Sequence, residues 1–172
     1  MLFAIDLASL VLLGIVVFQD FKQRQISWIL LPLVFFCFAL KAAGLSEVNE
    51  LLLSVFFNIG FVAVQLLLLT MWISIKHKKW TSIIDVHLGL GDILFFVAIS
   101  TAFSPFQYVF FYVFSIVVTL TGFMLYKLLS KNATPEIPLA GAMSAVLIVL
   151  MIVSAFLPKL NFHNEPLFIS FS

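Results

Sequence analysis

Gly89-Leu90-Gly91-Asp92, followed by the apolar run of residues 93–103, is the stretch on which the reading of this chain turns. The run reads as buried in lipid, with an aspartate at its mouth. A carboxylate resists the partial desolvation such a place imposes. The two glycines remove side chains and let backbone, substrate or another helix come close. A helix starting near Asp92 would set its free N–H groups and dipole against the negative charge. Two readings are open on this stretch alone. One is an N-capping aspartate with a glycine turn; the other is an ionisable group placed for function where a helix meets the membrane.

Composition sets the class. The chain has 172 residues, 63% hydrophobic and 10% charged, a balance foreign to soluble domains of this length. It predicts an all-α, polytopic integral membrane protein, a single membrane-embedded domain over residues 1–172. The 21 phenylalanines supply lipid-facing and packing surface and carry no catalytic reading. Cys37 is the single cysteine, so no intrachain disulfide forms, and it packs as a small apolar filler. No Cys/His cluster has metal-ligand spacing, so neither metal nor cofactor is expected. Nothing resembles a nucleic-acid-binding patch.

Outward from the glycine stretch, about six transmembrane helices are expected. Residues 1–18 are apolar except for Asp6 and lack the basic start of a secretory signal, so they read as a first helix. Residues 19–26 read as a polar turn. Trp28 stands at the entry of a second run, to about residue 45, as interface tryptophans do. A third run covers residues 51–75 and carries Asn58 and Gln65 as interhelical hydrogen-bond partners. The basic loop Lys76-His77-Lys78-Lys79-Trp80 leads through Asp85 and His87 to a short fourth helix, residues 91–103. Residues 104–107 read as a turn, then a fifth helix runs to Leu129. A polar loop, residues 130–138, precedes a sixth helix over residues 139–157. That helix starts with Ala140, Gly141, Ala142 and Ser144, small residues suited to close packing. The tail, residues 158–172, reads as a surface segment.

Loop charge orients the bundle. With the N-terminus outside, the inner loops carry Lys22, Arg24, Lys76, Lys78, Lys79, Lys127 and Lys131. Only Lys41 and Lys159, of nine basic residues, then lie outside. Helix parity puts Asp20, ending the first helix, and Asp92, opening the fourth, on the same cytoplasmic face. Two aspartates at one depth can share a proton, because ionising both at short range in a poorly solvated site is unfavourable. The ionised one then acts as general base on a water, and the protonated one polarises a carbonyl. This is peptide hydrolysis without metal or serine nucleophile. The plain reading is two unrelated acids, with Asp20 paired to Lys22 or Arg24.

The residues also carry a resemblance. Asp20-Phe21-Lys22-Gln23-Arg24-Gln25-Ile26 resembles the element after the first catalytic helix of type IV prepilin peptidases. Gly89-Leu90-Gly91-Asp92 resembles their Gly-x-Gly-Asp motif, and Ile137-Pro138-Leu139-Ala140 resembles the segment opening their last helix. The resemblance implies an aspartic endopeptidase of a prokaryotic cytoplasmic membrane, with Asp20 and Asp92 catalytic. It would cut the leader from prepilin-like proteins, with membrane lipid and secretion or pilus assembly machinery as further partners. Gly89 and Gly91 would admit the substrate backbone. Ser27-Trp28 replaces the family's Pro-Asn, and Leu94 stands where a lysine often follows the motif. No Cys-x-x-Cys pair occurs, so the likeness is to the short, peptidase-only form without methyltransferase activity.

Two other readings compete. Presenilin-type peptidases also use Gly-x-Gly-Asp, but they set the first aspartate within a helix after tyrosine, whereas here Gln19 precedes Asp20 at an expected helix end. A non-catalytic assembly factor or small proton-coupled transporter would use Asp20 and Asp92 to pack the bundle or bind protons.

Overall fold

The apolar runs become six α-helices: α1 (Leu2–Gln23), α2 (Leu30–Ala43), α3 (Val48–His77), α4 (Leu90–Ile99), α5 (Pro105–Leu129) and α6 (Leu139–Phe156). The structure, a computed structural model, describes residues 2–45, 47–77, 89–129 and 137–156. Among these no strand occurs. Lys78, Lys79, Trp80, Asp85, His87, Lys131, Lys159 and the tail fall outside the described residues.

Four helices, α1, α3, α5 and α6, are long and apolar enough to cross a membrane. The other two are short, with 14 residues in α2 and 10 in α4. At 1.5 Å per residue they reach about 21 and 15 Å, against a hydrocarbon core of about 30 Å. The expectation of about six spans therefore resolves into six helices, of which four are long enough to span.

The helices alternate in direction. Asp6 near the start of α1 pairs with Lys41 near the end of α2 at 2.5 Å. At the opposite end, Asp20 of α1 meets the start of α6. Leu13 and Val16 of α1, Val34 and Phe38 of α2, Phe95 and Ile99 of α4 and Met143 and Leu147 of α6 are buried together in the core. Long apolar side chains on the outer faces of α3 and α5, such as Phe56, Leu67, Phe110 and Leu125, are exposed, as lipid contact requires.

α4 stops inside the bundle, and that takes specific chemistry. A helix end leaves carbonyls without partners, and away from water each must find one. The Ser100 N–H turns back to the Val97 carbonyl at 3.2 Å. This tighter turn leaves the Phe96 carbonyl open, and the Tyr108 hydroxyl donates to it at 2.9 Å. Asn58, 1% exposed on α3, donates to the carbonyls of Ser100 at 2.8 Å and Phe103 at 3.0 Å. The expected interhelical role of Asn58 is met; Gln65 is half-buried and bonds to no other helix among the described residues. Asn58→Leu should leave two buried carbonyls unpaired and cost about 2 kcal/mol or more. Thermal unfolding in detergent, compared with Gln65→Leu, measures it; equal melting points for the two variants would show the α4 end needs no such partner.

Several boundaries differ from the sequence reading. α1 runs to Gln23, so Asp20 lies in a helix and not in the polar turn expected over residues 19–26. Its last turn is closed by Arg24, which takes φ 55° and donates its N–H to the Asp20 carbonyl at 3.1 Å. That is a left-handed C-terminal cap, here without glycine. The Ser27 N–H bonds Gln19 Oε1 at 2.9 Å, which delays α2 until Leu30 and leaves Trp28 exposed in the turn. α3 is longer than expected, with 30 residues. α4 ends at Ile99 and not at Phe103, for the reason given above. Pro105 opens α5 instead of lying in a turn, because its missing N–H costs nothing at the first helical position.

Candidate active site

Three helix ends build the site. α6 begins after Pro138, whose carbonyl accepts the Ala142 N–H at 3.0 Å. The amides of Leu139, Ala140 and Gly141 therefore have no partner inside their own helix. Two of them hold aspartates. The Ala140 N–H donates to Asp92 Oδ1 at 3.0 Å, and the Gly141 N–H donates to Asp20 Oδ2 at 2.5 Å. The accepting oxygens thus sit on consecutive amides and are no more than about 10 Å apart by backbone geometry. The charge of Asp20 acts on Asp92.

Asp20 is 7% exposed and stands in the last turn of α1. Its own helix dipole disfavours a negative charge there; the N-terminal end of α6 offsets this with an N–H and the positive end of its dipole. The Arg24 guanidinium also acts on Asp20. Asp92 is the third residue of α4, after the cap residue Gly89, and is not itself the cap. It draws on the Gly89 backbone amide, the reach-back of a capping box. Phe95 and Phe96 on α4 and Ala140 and Met143 on α6, the helices that open at the acids, are buried in the apolar core.

The glycines take different parts. A Cβ on Gly89 would lie 3.3 Å from Asp92 Oδ2, so this glycine leaves room for the acid itself. A Cβ on Gly91 would meet Ile26 at 3.6 Å, an ordinary contact, so the turn after α1 closes the space beside Gly91. Gly141 is the crowded one: a Cβ there would lie 2.9 Å from both Cβ and Oδ2 of Asp20, and 3.1 Å from the Phe21 ring. Its small size was legible as a packing feature; its contact with Asp20 was not. The available signal was Pro138 followed by small residues, which marks a helix start with free amides and room for an approaching group. Leu94, at the position of the family's lysine, is 39% exposed. Among the described residues no group of His, Cys, Asp and Glu could hold a metal ion.

A cavity of about 560 Å³ lies between the end of α1, α5 and the start of α6. Its walls are mainly apolar and include Phe21, Arg24 and Pro138, and neither acid lines it. Comparison with family models, curated proteins and solved structures finds no match for this chain.

Proposed function

We propose that this chain is a membrane aspartic endopeptidase of the prepilin peptidase kind, with Asp20 and Asp92 as its acid–base pair. One observation carries the reading: acids 72 positions apart in sequence converge on the consecutive amides of Ala140 and Gly141, in a largely buried setting. Packing alone gives no reason to bring two carboxylates to one helix end, since like charges oppose it. Proton sharing removes that opposition and leaves one group ionised, to take a proton from water, and one protonated, to donate to the scissile carbonyl. As the amide bond breaks, the proton taken from water passes to the leaving nitrogen.

In this proposal the N-terminus is outside, the membrane is the inner membrane of a prokaryote, and the site faces the cytoplasm. Lys22, Arg24, Lys76 and Lys127 stand towards the end that holds Asp20 and Asp92, and Lys41 towards the other, as the positive-inside bias requires. A prepilin leader is basic and cytoplasmic, and the helix after it lies in the bilayer. Its scissile bond is therefore at the inner interface, the depth of the two acids.

The test is co-expression with candidate prepilins and sequencing of the mature N-termini. Cleavage between a basic leader and an apolar segment is the expected product; intact leaders with every candidate would favour the assembly-factor or transporter reading. Topology is checked separately. Cysteines at Lys22 and Lys127 should react only with reagents admitted to the cytoplasm, and cysteines at Glu47 and Phe106 with impermeant reagents from outside. The reverse pattern would put the acids on the wrong side for a cytoplasmic leader.

A further inference from the structure

The two longest helices run well past the acids. On α5, Tyr112 packs against Phe96 with 5.1 Å between ring centroids, so the two residues stand at one height. Counting 1.5 Å per residue back from Phe96 to Asp92 and on from Tyr112 to Met124, Met124 stands about 12 Å beyond Asp92. α3 gives a similar answer. Asn58 bonds the Ser100 carbonyl at 2.8 Å, and the same count puts Trp72 about 9 Å beyond Asp92. α1, by contrast, ends at Gln23, one turn after Asp20, and α6 starts beside that acid.

The overhang of α5 is apolar on every face. Leu120, Met124, Leu125, Leu128 and Leu129 are 49 to 87% exposed, and no described residue of α5 after Thr119 is buried. A helix apolar all round needs lipid or protein about it. The helix ends favour lipid. Tyr126 and Lys127 close α5, and on α3 the Lys76 ammonium lies 5.3 Å from the Trp72 ring centroid. Aromatic rings beside cations at helix ends are what a membrane surface selects.

α1 and α2 carry the same kinds of marker closer together. At one end Asp6 and Lys41, 36 and 31% exposed, form an ion pair. At the other, Lys22 lies over the Phe18 ring at 4.9 Å, and Trp28 is 75% exposed in the turn after α1. From Asp6 to Asp20 the helix rises about 21 Å, against about 30 Å of hydrocarbon in an ordinary bilayer. A face shorter than the bilayer draws the headgroups in towards itself.

We propose that this protein thins the bilayer against α1 and α2 to about 20 Å, which brings headgroups and water level with Asp20 and Asp92 on that side, while α3 and α5 hold the full thickness. The partner is the lipid surface itself, with phosphates at Lys22 and the Trp28 ring among the headgroups. The proposal does not depend on the peptidase reading. A flat bilayer matched to α5 would leave the acids about 10 Å inside hydrocarbon, where neither hydrolysis nor proton exchange has water to work with.

Spin labels on the full chain, in vesicles of phosphatidylethanolamine and phosphatidylglycerol, test it. Cys37→Ala removes the native thiol, and Lys22→Cys, Trp28→Cys, Met124→Cys and Leu125→Cys each add one label at an exposed position. Collisions with oxygen mark hydrocarbon, and collisions with a water-soluble nickel chelate mark the headgroup layer and water. Along the bundle Met124 stands about 9 Å beyond Lys22, so in a flat bilayer its label lies nearer water by that amount. The expected result is the reverse order, with nickel reaching Lys22 and Trp28 and oxygen dominating at Met124 and Leu125. Nickel access at all four sites would put the end of α5 in water, and oxygen at all four would leave the acid level in hydrocarbon. Either result, or the flat-bilayer order, overturns the proposal. Broadening of the Met124 or Leu125 spectrum by a second labelled chain would show that a copy of this chain covers α5 in place of lipid, and overturns it as well.

Discussion

Asp20→Asn and Asp92→Asn should each abolish leader cleavage while the protein remains inserted and folded. Asparagine keeps the shape of aspartate, and its carbonyl oxygen can still accept the Gly141 or Ala140 N–H that now holds the acid. What it cannot do is exchange a proton in the working range, so the water loses its base or the scissile carbonyl its acid. Positioned acid–base groups contribute about 10²–10⁴-fold each, so either variant should fall to the limit of detection in a gel-shift assay of the processed substrate. The double variant should lose little more than either single one, because a shared proton makes the pair one unit. Stability should not fall, since the asparagine carbonyl keeps the hydrogen bond to the start of α6. A single variant that still cleaves at near the original rate would end the acid–base assignment. A variant that is inactive because it fails to insert would instead give Asp20 or Asp92 a structural part, which thermal unfolding in detergent separates from a catalytic one.

How much of this was readable without coordinates depends on the range of the interactions involved. The apolar runs and their order were legible, because lipid solvation acts on each segment by itself. So was the placing of Asp20 and Asp92 at one end of the bundle, because alternation of short-looped helices needs only counting. The end of α1 was not legible. Asp20, Phe21, Lys22 and Gln23 are polar enough to read as a turn, yet nothing in them breaks a helix, and Arg24 ends it by a backbone conformation that its type does not announce. The end of α4, at Ile99 and not Phe103, was hidden for a different reason. Its end depends on Asn58 and Tyr108, which belong to other helices, and a local reading of Ser100 to Phe103 cannot find them. The two amides that hold the acids were hidden most deeply, because backbone N–H groups have no signature in the amino-acid sequence beyond the helix start that frees them.

Gly141→Ala should be nearly as damaging to activity as loss of an acid. By local rules it ought to help, since alanine is favoured over glycine within a helix by about 1 kcal/mol. The new methyl group, however, would lie 2.9 Å from Asp20 Cβ, an atom fixed directly to the backbone of α1, and 2.9 Å from the oxygen that bonds the Gly141 amide. Rotating the side chain moves the oxygen but cannot move the Cβ. The end of α1 must therefore shift away from α6, and the Gly141–Asp20 hydrogen bond lengthens or breaks. Asp92, held by the neighbouring Ala140 amide, stays where it is, so the spacing of the two acids changes. A displacement of about 1 Å in a catalytic group can cost about 10²-fold in rate. The loss should appear in kcat with KM little changed, as expected when a contact positions an acid without binding substrate. Gly60→Ala in α3, where an added Cβ meets nothing within 4 Å, is the matched control and should keep full activity. Equal activity of Gly141→Ala and Gly60→Ala would show that the close seating of Asp20 on α6 has no part in the reaction. A rise in KM alone would move Gly141 from positioning the acid to binding the substrate.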